Sequence, residues 1–164
     1  MTTIVYRDGL MACDSRGYSG SRSPIGTKIK MKRLEDGTLI GVSSTIPGGG
    51  EAVIQWYEAG ALPNVDAIFF PDSFTMLAIK PNGAGYFADN HPVLSGPLKA
   101  PYYAAGSGGE FALGALEFGA DAFSAIQIAC KLDPFSDMPI VASSHTGDAP
   151  PTVDLADPFL IWID

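Results

Sequence analysis

Short-range alternation of apolar and polar residues, interrupted by glycine-bearing turns, dominates the first half of the chain. Arg7-Asp8-Gly9, Glu35-Asp36-Gly37 and Pro81-Asn82-Gly83 each lie between runs rich in Ile, Val, Leu, Met or Tyr. Asp or Asn followed by Gly readily takes the left-handed backbone that tight hairpins need, so the pattern predicts antiparallel pairs. These are Thr3–Tyr6 with Leu10–Asp14, Lys28–Leu34 with Thr38–Ser43, and Phe74–Lys80 with Gly85–Ala88. Helical spacing replaces alternation over Glu51–Ala59, where Val53, Trp56 and Tyr57 are the apolar positions and Gly60 ends the run. Ala100–Ala105 reads as another strand, turned by Gly106-Ser107-Gly108-Gly109 into a helix over Glu110–Phe118. A further helix, Ala122–Leu132, is capped by Asp121 and stops before Pro134, which disfavours helical backbone in the residue preceding it. Both later helices are apolar around much of their circumference, as expected of helices packed on a sheet. Ile140–Ser143 and Phe159–Ile163 supply late strands, and Thr146–Pro158 reads as a surface excursion. This order suits an α+β fold of face-to-face antiparallel sheets covered by helices.

The first hairpin has two possible registers. A three-residue Arg7-Asp8-Gly9 loop pairs Tyr6 with Leu10 and sets Thr2 opposite Asp14 on one face. A two-residue Asp8-Gly9 turn pairs Thr3 with Asp14 and sends Thr2 to the other face, because a one-residue slip inverts every side chain. A site that uses Thr2 and Asp14 together is expected to need the first register. The same logic at Glu35-Asp36-Gly37 brings Lys30 near Gly41.

Composition narrows the function classes. With 164 residues, 46% of them hydrophobic, the chain is expected to form one domain spanning 1–164. A net charge of −8 argues against a nucleic-acid partner, since phosphate binding needs clustered Lys and Arg. The one basic run, Lys28 to Arg33, alternates with Ile29 and Met31 and reads first as a strand. Cys13 and Cys130 lie far apart, with neither zinc-ligand spacing nor a disulfide framework, which fits a reducing, cytoplasmic compartment. No apolar run approaches the roughly 20 residues that cross a bilayer, and the N-terminus turns polar at Arg7-Asp8, so the mature chain is expected to begin at or near residue 2. His91 and His145 have no partner at ligand spacing and read as loop residues.

Candidate chemistry begins at the N-terminus. Trimming Met1 would leave Thr2 with its hydroxyl beside its own α-amine, whose ordinary pKa of about 7.7–8.0 suits proton abstraction near neutral pH. A nearby lysine ammonium would lower the pKa of both groups, and an aspartate would hold that lysine charged and in place. With Met1 retained, the Thr2 nitrogen is an amide and cannot act as a base. Gly106-Ser107-Gly108-Gly109-Glu110-Phe111 also has some likeness to a dinucleotide loop, but Phe111 stands where the last glycine is required and the surrounding order is not βαβ.

Four segments taken together, Thr2-Thr3-Ile4-Val5, Ala12-Cys13-Asp14-Ser15-Arg16, Lys28 to Leu34 continuing through Asp36-Gly37 to Leu39-Ile40-Gly41, and Ala105 to Gly109, carry a likeness over about residues 2–132. The chain resembles the proteasome β-subunit family, in particular its bacterial HslV-type branch of N-terminal-threonine peptidases and their short phage and bacterial relatives. The resemblance implies a four-layer αββα sandwich, the N-terminal nucleophile hydrolase fold. It makes Thr2 the nucleophile, Asp14 the acid that orients a lysine, and Lys30 that lysine, with Lys28 as a rival. It also implies that Ser107 hydrogen-bonds the terminal amine, that the Gly41 backbone N–H holds the oxyanion, and that Arg16 supports. No cofactor follows, and no metal is assigned, because Lys131 to Ser136 replaces a segment that helps form a cation-binding loop in bacterial relatives. The first hairpin is also a few residues shorter than the family's. The implied partners are a peptide or unfolded-protein substrate, further copies in a ring, and an ATPase unfoldase. Alternatives of other classes are a catalytically silent shell protein of this fold and a small-molecule amidase.

Overall fold

Glycine turns organise both sheets of the computed structural model, which describes residues 1–19, 23–62, 70–71 and 73–164. The chain runs β1 (Thr3–Arg7), β2 (Leu10–Cys13), β3 (Arg16–Ser19), β4 (Ser23–Thr27), β5 (Met31–Arg33), β6 (Leu39–Ser44), α1 (Gly49–Glu58), β7 (Phe74–Ile79) and β8 (Gly85–Asp89). It continues with β9 (Ser95–Leu98), β10 (Tyr102–Gly106), α2 (Gly109–Glu117), α3 (Ala122–Leu132), β11 (Ile140–Ser144) and β12 (Leu160–Trp162). One sheet has the order β10-β1-β2-β11-β12, the other β5-β6-β7-β8-β9, and β3-β4 form a separate ribbon.

Strand alternation fixes the layers. Ile4, Tyr6, Met11 and Cys13 on one face of the first sheet meet Met31, Leu39, Leu77 and Ile79 of the second, forming the core between the sheets. Val5, Leu10 and Ala12 point the other way and pack on Ala112 and Leu116 of α2 and Ala125, Ile126 and Ala129 of α3. On the outer face of the second sheet, Ile40, Val42 and Met76 cover Val53 and Trp56 of α1. The result is the expected αββα sandwich. Asp121 caps α3 as expected, its carboxylate accepting from the Ser124 N–H at 2.7 Å. Among the described residues, no helix is long and apolar enough to cross a membrane.

The first hairpin departs from the expected register. Asp8 and Gly9 both have positive φ, 53° and 82°, and Arg7 pairs with Leu10, Tyr6 with Met11 and Ile4 with Cys13. Two consecutive left-handed residues make a two-residue hairpin turn whose twist matches the strands, and aspartate tolerates that conformation better than most residues. Thr3, not Thr2, therefore stands opposite Asp14. The second and third hairpins keep three-residue loops, with Gly37 at φ 80° and Gly83 at φ 82°. The expected Lys28–Leu34 strand contracts to Met31–Arg33. Lys28 to Lys30 instead cross from the β3-β4 ribbon to the second sheet, with Lys28 N–H donating to Ser15 O and Lys30 O accepting from Val42 N–H.

Candidate active site

Thr2 enters β1 at the end of the first sheet and is 2% exposed. Its carbonyl accepts the Ser107 N–H at 2.9 Å. That approach needs a residue without a side chain at Gly106, where φ is 89° and a Cβ would overlap the Thr2 carbonyl oxygen. The strand-to-helix turn thus clamps the N-terminal strand through its backbone.

Lys30 arrives from the second sheet and closes the other side. Its ammonium lies 3.0 and 3.2 Å from the two Asp14 carboxylate oxygens and 3.1 Å from the Met1 carbonyl oxygen. Asp14 also accepts from the backbone N–H groups of Thr3 (2.9 Å), Arg16 (3.0 Å) and Asp137 (3.3 Å). Burial pushes the Asp14 carboxyl above its ordinary pKa, while Lys30 and the Thr3 and Arg16 N–H groups pull it back down. The Arg16 guanidinium lies 3.7 Å from the Asp137 carboxylate.

The observed register is the one expected to count against a site that uses Thr2 and Asp14 together, since it sets Thr3 opposite Asp14. Asp14 lies one residue beyond the end of β2, and its carboxylate meets the Lys30 ammonium there. Lys30 reaches it through its four-carbon stem. The rival lysine is elsewhere: Lys28 pairs with Glu51 at 2.9 Å and its side chain is 44% exposed.

Gly41 is not at the site. It lies within β6 between Met31 of β5 and Leu77 of β7, and a Cβ there would meet Ile4 Cγ2 at 2.9 Å. Its missing side chain makes room for Ile4 between the sheets, and a mid-strand N–H belongs to the ladder, so the expected oxyanion role is replaced by packing. Ser107 was expected to hydrogen-bond the terminal amine, and its hydroxyl instead donates to Asp133 at 2.7 Å. The terminal amine is one residue further out, because the Thr2 nitrogen is in peptide linkage to Met1.

The sequence reading missed a second polar network. Ser107 and Ser136 hydroxyls both donate to Asp133 Oδ2 at 2.7 Å, and Thr3 Oγ1 lies 2.7 Å from Ser136 Oγ. Since Ser136 gives its proton to Asp133, Thr3 is the donor to Ser136. Asp133 and Ser136 are 4% and 2% exposed, so the network is sealed under Thr2-Thr3. The available signal was Asp133-Pro134-Phe135-Ser136 itself, a polar pair straddling the turn that stops α3. Neither cysteine competes as nucleophile, because burial raises both thiols, that of Cys130 to about 12.

Two sheets between helix layers, with the N-terminal strand lying between β10 and β2, make the N-terminal nucleophile hydrolase fold in its proteasome β-like form. Three solved structures share it. Eukaryotic HslV from Trypanosoma brucei matches with a TM-score of 0.67 and 19% identity, covering 87% of this chain and 98% of that one. Thiobacillus denitrificans BPH in complex with epoxomicin matches at 0.61 and 17%, and a second structure of that BPH at 0.56 and 18%, each covering 86% of this chain and 95% of that one. No protein-family model and no curated protein matches the sequence. At such identities the likeness is one of fold.

Proposed function

We propose that the chain is a threonine peptidase in which Thr2, freed of Met1, is the nucleophile. One observation carries this reading: the buried Lys30 ammonium bridges Asp14 and the carbonyl immediately preceding Thr2. With Thr2 as first residue, its α-amine would lie in the field of that ammonium, which favours the neutral, basic form. The amine takes the hydroxyl proton as Thr2 Oγ bonds to the substrate carbonyl carbon. The proton then passes to the leaving nitrogen as the C–N bond breaks. Water attacks the resulting ester, releasing the acid and restoring the hydroxyl. Asp14 holds Lys30 charged and in place, and Ser107, Asp133 and Ser136 fix the backbone around Thr2 and Thr3. With Gly41 engaged in packing, Lys30 is the group best placed to meet charge developing on the acyl oxygen.

The HslV likeness supports assembly of identical copies into a ring that receives unfolded chains from an ATPase. Leu113 of α2, Phe118 just beyond it and Leu132 of α3, at 46%, 97% and 57% exposure, are apolar groups that such contacts would cover. The epoxomicin complex of the BPH structure makes that compound a suitable inhibitor to try. The silent-shell alternative also has an observation in its favour, since the first hairpin sets Thr3 and not Thr2 opposite Asp14. Intact mass with N-terminal sequencing separates the two. A Thr2-first protein is expected to hydrolyse a fluorogenic peptide and Thr2→Ala to fold and assemble without doing so; hydrolysis at the wild-type rate by Thr2→Ala would overturn the mechanism.

A further inference from the structure

Met1 is anchored through its main chain at both ends. Its carbonyl oxygen accepts from Lys30, and its nitrogen donates to the Tyr18 hydroxyl at 2.9 Å and the Ser44 carbonyl at 3.3 Å. The Met1 carbonyl carbon is bonded to the Thr2 nitrogen, and the Thr2 nitrogen and hydroxyl stand on adjacent carbons. An acyl group carried on the hydroxyl therefore has its carbonyl within a few ångströms of the Met1 carbonyl. Met1 thus occupies the ground that a substrate's acyl residue would take after attack.

Resting on the reading of Thr2 as nucleophile, we propose that Tyr18 is a specificity-determining residue. Its hydroxyl, with the Ser44 carbonyl, takes the backbone N–H of the substrate residue whose carbonyl is attacked, and so selects an acylated nitrogen over a free α-ammonium.

Three features point the same way. Tyr18 is held in place on β3 by the Phe135 ring, 5.5 Å away between centroids, and Phe135 belongs to the same turn as Asp133 and Ser136. Both acceptors of the Met1 nitrogen are uncharged, whereas a site selecting an ammonium would place a carboxylate there. The position also resists positive charge, because burial and Lys30 lower the Met1 amine to about 6, against smaller opposing contributions from Asp14 and Asp133. An amide N–H suffers none of that penalty. Beside the nitrogen lies a cavity of about 220 Å³ whose walls include Ile25, Val42, Ile46 and Ile54, with Lys28 and Glu51 neutralising one another at its edge. Met1 itself lies against this cavity, which makes methionyl compounds the natural probes.

The test uses protein produced with Thr2 as its first residue and three coumarin amides: N-acetylmethionyl, N-acetyl-N-methylmethionyl and free-amine methionyl. N-methylation is expected to lower kcat/KM by about three- to tenfold in the wild type, the usual effect of one neutral hydrogen bond. Tyr18→Phe, which keeps the ring on Phe135, is expected to lose a similar factor on the parent substrate and most of its sensitivity to N-methylation. Faster turnover of the free-amine compound than of its acetylated form would overturn the assignment and indicate an aminopeptidase. Binding of unreactive N-acetylmethionine amide, read by calorimetry, separates the two layers of the argument. Absent turnover with Tyr18-dependent binding removes the peptidase reading alone, while binding equal in wild type and Tyr18→Phe removes the role of Tyr18.

Discussion

Lys30 and Lys28 are two residues apart and live under different physics. The Lys30 side chain is 7% exposed against an Asp14 that is 0% exposed, whereas Lys28 and Glu51 form a pair in solvent. Exposed pairs contribute about 0–1 kcal/mol, but removing one partner of a buried pair costs about 3–5 kcal/mol because the other charge is stranded. Urea unfolding of Lys30→Ala and Lys28→Ala is therefore expected to differ by several-fold in lost stability, with peptide hydrolysis lost only in the first; greater loss in Lys28→Ala would mean that the wrong lysine had been assigned. The pair also has a pH signature. In Lys30→Met the upward push of burial on the Asp14 carboxyl loses its largest opposing influence. The native state then keeps a proton that the unfolded state releases above about pH 3.9, so stability falls as pH rises toward 7. A melting temperature for Lys30→Met that climbs over that range would contradict this sign.

Glycine positions show how element geometry is set by what a side chain would meet. Gly106 combines a φ of 89° with a Cβ direction blocked by the Thr2 carbonyl oxygen, whereas at Gly114, inside α2, an added Cβ meets nothing within 4 Å. Gly114→Ala is expected to stabilise by up to about 1 kcal/mol through helix propensity. Gly106→Ala should destabilise and pull β1 away from β10, and hydrogen exchange at Thr3 to Arg7 reports that loss directly; unchanged protection there would contradict the clamp. Much of this was legible in the sequence because it is local. Asp36-Gly37 and Asn82-Gly83 loops, the α3 cap at Asp121 and the apolar faces of the helices all depend on neighbours within a few residues. Three strands escaped notice, Arg16–Ser19, Ser23–Thr27 and Ser95–Leu98, and the last two are exposed along their whole length, so they carry no alternation to read. The pairing of Asp14 with Lys30 was accessible through their motif, whereas the contacts of Asp133 and Ser136 arise only because the end of α3 folds back on the N-terminus. Gly41 was misassigned because a glycine that admits Ile4 and one that offers an N–H to an oxyanion look alike in a sequence.

At the scale of the molecule, β1 lies between β2 and β10, so the strand bearing the candidate nucleophile is completed by residues near position 104. Its other neighbour is available almost at once, through the Asp8-Gly9 turn. This spacing turns a topological fact into a schedule during synthesis. At about 5–20 residues per second, the ribosome needs on the order of 5–20 s to deliver the stretch between Thr3 and Tyr102. Until then the Ser107 turn that clamps Thr2 does not exist, and Met1 remains open to any processing enzyme that scans nascent chains. Once the second edge closes, the Met1 amine is tied to Tyr18 and Ser44. Folded protein that still carries Met1 is expected to resist a methionine aminopeptidase, while the same protein in mild urea should lose the residue, as read by intact mass. Equal trimming in both conditions would show that closure does not protect it. With protection by closure, the order of strands sets a race between maturation and folding, with the N-terminal residue as a record of which finished first.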